Sequence, residues 1–363
     1  MKTLHVDLGP TWRGGQNQVW LLLRGLRERG VEAELLGRAD APLLRRAREE
    51  NFPVHCVAAS GTRWRAAWKL RGLLRERAYD IVHAHDAHAL TAVWLAGAHR
   101  RARLVATRRV VYPLAGGLGG ARYRSAHRVV AVSEAVRKAM LASGLASERI
   151  SVVYSGVELP PPANDADRRR ARERFRLAPG EYVLGSVGMF HPDKGHESLL
   201  KTLAHMRKEA PLCRLLLAGE GPERERLEQL TRELQIEPAV HFTGFIEDVT
   251  LVYAALDVFL FPAVDEGLGT ALLTAMAYGL PVVALDRGAG PEIVEHDRSG
   301  LLVPNRKPET LAEAILALVG DPQAARRLGE GARARIAERF SAGQMVEGNL
   351  RVYRELTGEE RSR

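Results

Sequence analysis

The chain has 363 residues, of which 46% are hydrophobic and 27% charged, a composition typical of about two globular domains and unlike that of a disordered or fibrous protein. Its net charge of +9 is unevenly spread: residues 1–160 contain 26 basic and 13 acidic residues, and the remaining 203 contain 27 and 31. Without an RNP-like strand, a basic-region heptad or a Cys/His finger, this basic half does not indicate a nucleic-acid partner. No apolar run reaches 18 residues, and the opening MKTLHVDLG leaves no room for a signal-peptide core, so the sequence predicts a soluble cytoplasmic protein.

Short apolar runs alternate with helical patterns along the first half of the chain. The predicted strands are Thr3–Leu8, Ala33–Leu36, Val54–Val57, Ile81–His85, Leu104–Thr107, Arg128–Val132 and Ser151–Tyr154. The helical patterns between them include Gly15–Arg29 and Arg63–Arg77. Apolar runs without strict alternation, separated by helices, indicate a parallel sheet that is covered on both faces.

The Pro-rich segment Glu158–Asp165 interrupts this pattern, which then begins again. The predicted strands of the second half are Tyr182–Val187, Arg214–Ala218, Val240–Thr243, Val258–Phe261 and Pro281–Ala284. Two such halves predict an α/β protein of two doubly wound, Rossmann-like domains, residues 1–158 and 159–342, followed by a helical pattern at Gly343–Leu356. Ligands of such domains bind beyond the carboxyl ends of the strands, so the predicted site is a cleft across which the two domains face each other.

The first candidate binding segment, Gly9–Gln16, follows the first strand and opens a helix. Its Gly14 and Gly15 allow backbone N–H groups to approach an anion, and the helix N-terminus adds a positive dipole. The segment matches neither a P-loop nor a dinucleotide-binding fingerprint, and a flexible strand-to-helix turn explains it equally well.

The second candidate segment, Gly185–His196, has the same position after a strand. Lys194 at the mouth of the following helix provides a point charge for a phosphate, and Gly195 permits a tight turn. The alternative is a turn lysine exposed to solvent, which a lone Lys-Gly pair would favour.

The third candidate segment, Asp265–Ala277, combines carboxylates and glycines at the point where a strand ends and a helix begins. A helix start with unpaired N–H groups is where a diphosphate would dock, with Glu266 beside it to bind sugar hydroxyls. Acidic residues are common in first turns, so helix capping alone is the alternative.

Together these three segments resemble the retaining nucleotide-sugar glycosyltransferases of family 4, which have the GT-B fold. The resemblance extends over nearly the whole chain and is strongest over Val183–Leu302. Three further runs carry it there: Leu216–Pro222, His241–Phe245 and Gly290–Val294.

The resemblance implies that the second domain binds a nucleotide diphosphate-sugar, the donor, and that the first domain binds the acceptor. In that family the lysine that matches Lys194 binds the diphosphate, the carboxylate that matches Glu266 contacts the transferred sugar, and the glycine-rich loop closes over the donor. The implied donor-binding residues are Gly14, Gly15, Gly188, Gly219, Gly267, Leu268, Gly269, Thr270 and Thr274. The resemblance implies no metal and no other cofactor, and it implies that the C-terminal segment 343–363 packs back on the first domain.

Three positions depart from the family pattern. Thr274 replaces an acidic residue that holds the nucleotide ribose, and Met189 replaces an arginine that contacts the diphosphate, so weaker donor binding is expected. The run Thr107–Pro113 stands where many members have a histidine, and it resembles that of bacterial members that assemble lipopolysaccharide or other surface glycans. Its Arg108 and Arg109 could replace the missing phosphate contacts, unless one of them is a solvent-exposed loop charge.

The histidines His83, His85 and His88 lie close together in sequence, as in some metal sites. His83 and His85 share one strand face, but His88 falls in the next turn and no acidic or Cys partner has ligand spacing, so zinc is disfavoured. The resemblance places the end of this strand at the cleft, which makes His85 a candidate sugar or phosphate contact. His83 is expected in the core.

The helical pattern Arg63–Arg75 has two distinct faces. Its predicted core face is formed by Ala66, Ala67, Leu70, Leu73 and Leu74. Aromatic and basic residues lie outside that face, namely Trp64, Arg65, Trp68, Arg71 and Arg75. Such a mixture favours docking on an anionic bilayer surface, and similar enzymes dock lipid acceptors through this region. Trp rings that lie flat over a domain edge are the alternative.

The sequence therefore predicts a retaining glycosyltransferase whose catalytic residues are Lys194, Glu266, Arg109 and His85. Its expected acceptor is a lipid-linked or surface-glycan intermediate, as in lipopolysaccharide assembly, at the inner face of the cytoplasmic membrane. One alternative is a catalytically weak nucleotide-sugar-binding or regulatory protein on the same frame, which the two lost donor contacts favour. A less favoured alternative is a nucleotide-sugar epimerase.

Overall fold

The computed structural model describes residues 1–59, 61–114, 116–161 and 164–359. The chain forms two compact units, of which the first comprises Met1–Gly156 and the segment from Ala342 onward, and the second Val157–Ser341. The first unit ends two residues before the boundary expected at residue 158. Residues 162 and 163 of the Pro-rich segment lie outside the described ranges.

The first unit is built on a seven-stranded parallel sheet. Its strands are β1 (Lys2–Asp7), β2 (Glu32–Arg38), β3 (Val54–Val57), β4 (Ile81–Ala84), β5 (Arg103–Arg108), β6 (Arg128–Ala131) and β7 (Ile150–Val152). The connecting helices are α1 (Gly14–Glu28), α2 (Pro42–Glu49), α3 (Thr62–Glu76), α4 (Ala87–Leu95), α5 (Leu118–Arg124) and α6 (Glu134–Ala142). The strands lie in the order β3-β2-β1-β4-β5-β6-β7, and every pair is parallel. The order reverses direction between β1 and β4, the point where doubly wound sheets bind their ligands.

The second unit repeats this plan with a six-stranded sheet. Its strands are β8 (Tyr182–Val187), β9 (Cys213–Ala218), β10 (Val240–Gly244), β11 (Val258–Phe261), β12 (Val282–Leu285) and β13 (Leu301–Val303). Its helices are α7 (Asp165–Arg174), α8 (His196–Met206), α9 (Arg224–Glu233), α10 (Thr250–Ala255), α11 (Thr270–Ala277), α12 (Gly290–Ile293), α13 (Pro308–Gly320) and α14 (Pro322–Arg339). The strand order is β10-β9-β8-β11-β12-β13, again all parallel, with the reversal between β8 and β11.

The last helix, α15 (Ala342–Thr357), belongs to the first unit and packs against α1. The two helices approach most closely at Gly25, where a Cβ atom would lie 2.4 Å from Val346 Cγ2. Leu350 and Tyr353 of α15 are fully buried in the core of this unit. The C-terminal helix therefore forms part of the first core, while residues 360–363 lie outside the described ranges.

The predicted parallel α/β class is confirmed, and each predicted strand is present with its ends within two residues of the expected ones. The sequence does not predict β13, because its three residues between Gly300 and Pro304 are too few to show a pattern. This strand exists through its pairing with β12, in which Val283 lies opposite Leu301. Within the described part of the chain, no helix is both long and apolar enough to cross a bilayer.

Candidate active site

Lys194 and Glu266 meet in the second unit, where its two central strands end. Lys194 closes a short 3-10 turn between β8 and α8, and Glu266 lies in the loop that follows β11. The Lys194 ammonium group forms an ion pair with the Glu266 carboxylate. Their side chains remain 28% and 25% exposed, so both charged groups can reach a ligand.

The position of Lys194 depends on the glycine that follows it. Gly195 has φ +75°, in the left-handed region, and a Cβ atom there would lie 2.8 Å from the carbonyl oxygen of Pro262. A larger residue would meet both backbone strain and this carbonyl. Gly195 therefore lets the chain turn from β8 into α8 while the loop after β11 passes close by.

The N-terminus of α11 adjoins Glu266 in the chain. Gly267, Leu268 and Gly269 are buried, and Gly269, with φ +83°, is the residue that precedes the helix. In the described structure no side chain caps this helix start. Its first N–H groups therefore provide donors and a positive dipole end beside the Lys194–Glu266 pair.

The backbones of Gly188 and Gly219 are in contact, but the two glycines differ in the space that a Cβ atom would have. Gly219 has φ +152°, and a Cβ atom on it would lie 1.9 Å from the Gly188 carbonyl oxygen. A Cβ atom on Gly188 would find no described heavy atom outside its chain neighbours within 4 Å. Gly219 is thus required by packing, whereas Gly188 presents an open backbone face.

Two of the three departures from the family pattern, Thr274 and Met189, lie in the second unit. The Thr274 hydroxyl donates a hydrogen bond of 2.9 Å to the Thr270 carbonyl one turn earlier in α11. It therefore has lone pairs but no spare proton to offer a ligand. Met189 is 40% exposed and follows the open face of Gly188.

Arg109 lies in the first unit, directly after β5 and against the glycine segment. A Cβ atom built on Gly15, in the first turn of α1, would lie 3.6 Å from Arg109 Cδ. Burial lowers the pKa of the Arg109 guanidinium to about 10, although the negative charges of Asp7 and Asp86 act to raise it. The guanidinium therefore stays protonated at neutral pH. Its neighbour Arg108 instead donates to the Tyr112 carbonyl oxygen at 2.5 Å and lies over the Tyr123 ring.

Asp7, the last residue of β1, is a buried carboxylate that sequence reasoning missed. It accepts hydrogen bonds from Gly9 N at 3.0 Å and from Gln16 Nε2 at 3.2 and 3.3 Å. Burial, and next the charge of Asp86, raise the pKa of Asp7 to about 6, although the bonds from Gln16 and Gly9 act in the opposite sense. Its position two residues before the segment Gly9–Gln16 is the signal that could have identified it.

The histidine cluster differs in membership from the one that the sequence indicates. His83 and His85 are buried, as is His5, which lies opposite His83 in the β1–β4 pair. His88 is exposed in the first turn of α4 and takes no part. His83 is the core residue that was expected. His85 is also enclosed, with 3% of its surface exposed, and its assignment as a sugar or phosphate contact stays a prediction.

Helix α3 confirms its predicted core face and leaves the opposite residues exposed. The buried residues are Ala66, Ala67, Leu70, Leu73 and Leu74. Trp64 and Trp68 are 71% and 81% exposed, so neither ring lies flat on the protein. The interleaved Arg65, Arg71 and Arg75 are also exposed.

Two family models match the chain and together cover most of it. Residues 12–159 match the model described as Glycosyltransferase Family 4, and residues 167–335 match the model described as Glycosyl transferases group 1. The chain is similar to a D-inositol 3-phosphate glycosyltransferase of Nocardia farcinica, with 30% identity over 94% of this chain and 84% of the relative. It is also 28% identical to the lipopolysaccharide core biosynthesis glycosyltransferase LpsD of Rhizobium meliloti, over 97% and 98% of the two chains.

Solved structures with the same fold include the Anabaena protein HepE in complex with UDP-glucose. That chain superimposes with a TM-score of 0.85 at 24% identity, over 98% of this chain and all of the other. A glycosyltransferase from Rickettsia africae gives a TM-score of 0.85 at 20% identity, over 98% of each chain. These similarities confirm the predicted GT-B fold.

Proposed function

Because this chain belongs to the group 1 and family 4 glycosyltransferases, we propose that it transfers a sugar from a nucleotide diphosphate-sugar to a lipid-linked or surface-glycan acceptor, with retention of anomeric configuration. The Lys194–Glu266 pair beside the uncapped start of α11 is the observation that carries the proposal. A cation, a helix dipole and a carboxylate in one place suit a diphosphate linked to a hydroxylated sugar.

Departure of the nucleoside diphosphate is the costly step of such a reaction. Lys194 and the N–H groups at the start of α11 stabilise the charge that develops on the leaving phosphates. The proposal also assigns Arg109 of the first unit, a cation at neutral pH, to phosphate binding. Glu266 binds hydroxyls of the donor sugar and so orients its anomeric carbon. The leaving phosphate itself takes the proton of the acceptor hydroxyl, so the proposal assigns no protein nucleophile and no metal.

The relatives support particular substrates. LpsD, which this chain matches along its full length, is named for lipopolysaccharide core biosynthesis, and this supports a surface-glycan acceptor. HepE was crystallised with UDP-glucose, which makes UDP-sugars the first donors to test.

Binding of the donor is tested by thermal unfolding of the full chain with UDP, GDP, ADP and TDP and their common sugar conjugates. A ligand at 100 times its dissociation constant adds about 2.7 kcal/mol of stability, which visibly raises the melting temperature. We expect one nucleotide class to stabilise the protein, and NMR of the product to show a retained anomeric configuration. If none stabilises it at millimolar concentration, donor binding is refuted and the regulatory-protein alternative gains support.

We also propose that α3 docks the enzyme on the inner face of the cytoplasmic membrane. Two tryptophans this exposed, set among three exposed arginines, combine interfacial anchoring with attraction to anionic lipid headgroups.

Vesicle sedimentation tests this docking. We expect the protein to pellet with vesicles rich in phosphatidylglycerol but not with pure phosphatidylcholine, and Trp64→Ser/Trp68→Ser to lose most of the binding because both anchors are gone. Phe245→Ser is the matched control, since Phe245 is an exposed aromatic residue, 66% accessible, in the second unit. Equal binding by the double variant and the wild type would contradict the proposal.

A further inference from the structure

A line of buried hydrogen bonds connects β1 to the end of β4 in the first unit. His5 Nε2 lies 3.1 Å from the Thr3 hydroxyl oxygen, and His5 Nδ1 lies 3.0 Å from His85 Nε2. All three side chains are buried. The line ends at His85 Nδ1, which is enclosed and has no hydrogen-bond partner among the described residues.

The Thr3 hydroxyl determines which atom is the donor in each of these hydrogen bonds. The Thr3 hydroxyl has a single proton, which it donates to the Glu32 carbonyl oxygen at 3.0 Å. His5 must therefore donate to Thr3 from Nε2. Burial lowers the pKa of His5 to about 3, so the ring is neutral and its Nδ1 accepts a proton from His85 Nε2.

His85 is consequently left with a lone pair on Nδ1. Burial, reinforced by the neighbouring His83, His5 and Arg109, lowers the pKa of His85 well below its usual value, so this ring is neutral as well. A neutral imidazole that donates from Nε2 has an acceptor at Nδ1. An enclosed acceptor without a partner is costly, so this atom calls for a donor.

A cavity of about 10 Å³ adjoins His85 and is also lined by Arg109 and Asn349. Arg109 Nε, a donor, and Asn349 Oδ1, an acceptor, are likewise enclosed without partners in the described structure. The Asn349 amide is oriented by its Nδ2, which donates to the Met345 carbonyl at 2.9 Å. Gln18, on the same cavity, is satisfied by Gly156 through two bonds of 2.8 Å.

We propose that one buried water occupies this cavity, accepts the Arg109 Nε–H and donates to His85 Nδ1 and Asn349 Oδ1. The volume suits a single water molecule, and one donor with two acceptors uses three of the four hydrogen bonds that a water molecule can make. The water joins α15 to the loop after β5 and holds the Arg109 guanidinium in one orientation. His85 is thus a positioning residue for Arg109. The water site does not depend on the proposed function. The effect of the water on sugar transfer does rest on the proposed function.

A metal ion is the competing occupant, because ring nitrogens of His5, His83 and His85 lie within 4.8 Å of one another. His83, however, uses Nδ1 towards the Tyr353 hydroxyl at 2.6 Å and Nε2 towards the Thr107 hydroxyl at 2.7 Å. His5 also uses both of its nitrogens, as described above. One open nitrogen does not make the three or four ligands that zinc requires.

The site is tested without any assay of transfer. In the full chain labelled with ¹⁵N-imidazole, with signals assigned through His5→Asn and His85→Asn, we expect neutral rings protonated at Nε2 for both histidines at pH 7. A crystal structure should show one water within hydrogen-bond distance of all three atoms. A proton on His85 Nδ1, or a metal ion in place of the water, would overturn the proposal.

The positioning role is tested by coupling between variants. His85→Leu and Asn349→Leu each remove one water ligand, and we expect each to lower kcat about tenfold with KM for the donor changed less than threefold. Because both act through the same water, the double variant should be no slower than the slower single variant. His85→Asn keeps an acceptor near the Nδ1 position and should recover most of the loss. Multiplied losses in the double variant, or equal rates for the Asn and Leu variants, would refute the role. Failure of donor binding in the wild type would instead refute the proposed function.

Discussion

Replacement of Lys194 by alanine is expected to lower sugar transfer by about 10²–10³-fold and to abolish stabilisation by the nucleoside diphosphate. Lys194 is a partly buried cation that forms an ion pair with Glu266, and it lies beside the positive end of α11. Its removal takes away the charge that would neutralise the leaving diphosphate. Initial rates of transfer, together with thermal shifts for the bound nucleotide, measure both effects.

Lys201→Ala is the matched control for Lys194→Ala. Lys201 also pairs with a glutamate, Glu197, at 2.7 Å, but it lies one turn into α8 and is 45% exposed. Surface pairs of this kind contribute about 0.3–0.5 kcal/mol, so stability and transfer should remain near those of the wild type. If Lys194→Ala retained the transfer rate of this control, the assignment of Lys194 would be wrong.

Glu266→Gln separates the two members of the pair. In the absence of the donor sugar nucleotide, the Glu266 carboxylate is the ion-pair partner of Lys194. A bound diphosphate must replace this carboxylate as the partner of the ammonium group. Removal of this competing charge should leave affinity for the free nucleoside diphosphate unchanged or higher, while the loss of sugar orientation should slow transfer by about 10²-fold. Equal losses of nucleotide affinity in Glu266→Gln and Lys194→Ala would contradict this exchange of partners.

Most of the fold could be predicted because its signals are local. A strand such as Val258–Phe261 is a short apolar run, and the core face of α3 follows from helical spacing alone. The missed strand β13 has three residues, and only its register with β12 defines it. Strand ends shifted by one or two residues for the same reason, since pairing with neighbours decides where a strand stops.

The candidate site was predictable only in part, because its contacts join distant residues. Lys194 and Glu266 were singled out by the turns that contain them, but their ion pair spans 72 positions in the chain. His5 joins the histidine cluster through the register of β1 with β4, and Tyr353 reaches His83 from 270 positions away. Such partners follow from sheet order and helix packing, which no local pattern in one sequence contains.

Replacement of Gly219 by alanine should lower the stability of the protein, whereas replacement of Gly188 should lower its affinity for nucleotide. Gly219→Ala would force a left-handed φ of +152° on a residue with a Cβ atom and place that atom 1.9 Å from the Gly188 carbonyl oxygen. Strain and overlap together should cost about 3 kcal/mol or more, since neither backbone segment can move without disturbing β8 or β9. We expect a clear fall in the melting temperature, measured without nucleotide.

Gly188→Ala should leave the stability within about 0.5 kcal/mol of the wild type, since its Cβ atom would meet nothing within 4 Å among the described residues beyond its chain neighbours. The added methyl group would, however, cover the backbone face that the proposed diphosphate approaches, and nucleotide affinity should fall about tenfold. A variant that unfolds at the wild-type temperature yet binds UDP poorly would identify a glycine required for ligand approach. Undiminished affinity in Gly188→Ala would mean that the donor does not approach this face, and the diphosphate would then have to be assigned to Lys194 and α11 alone.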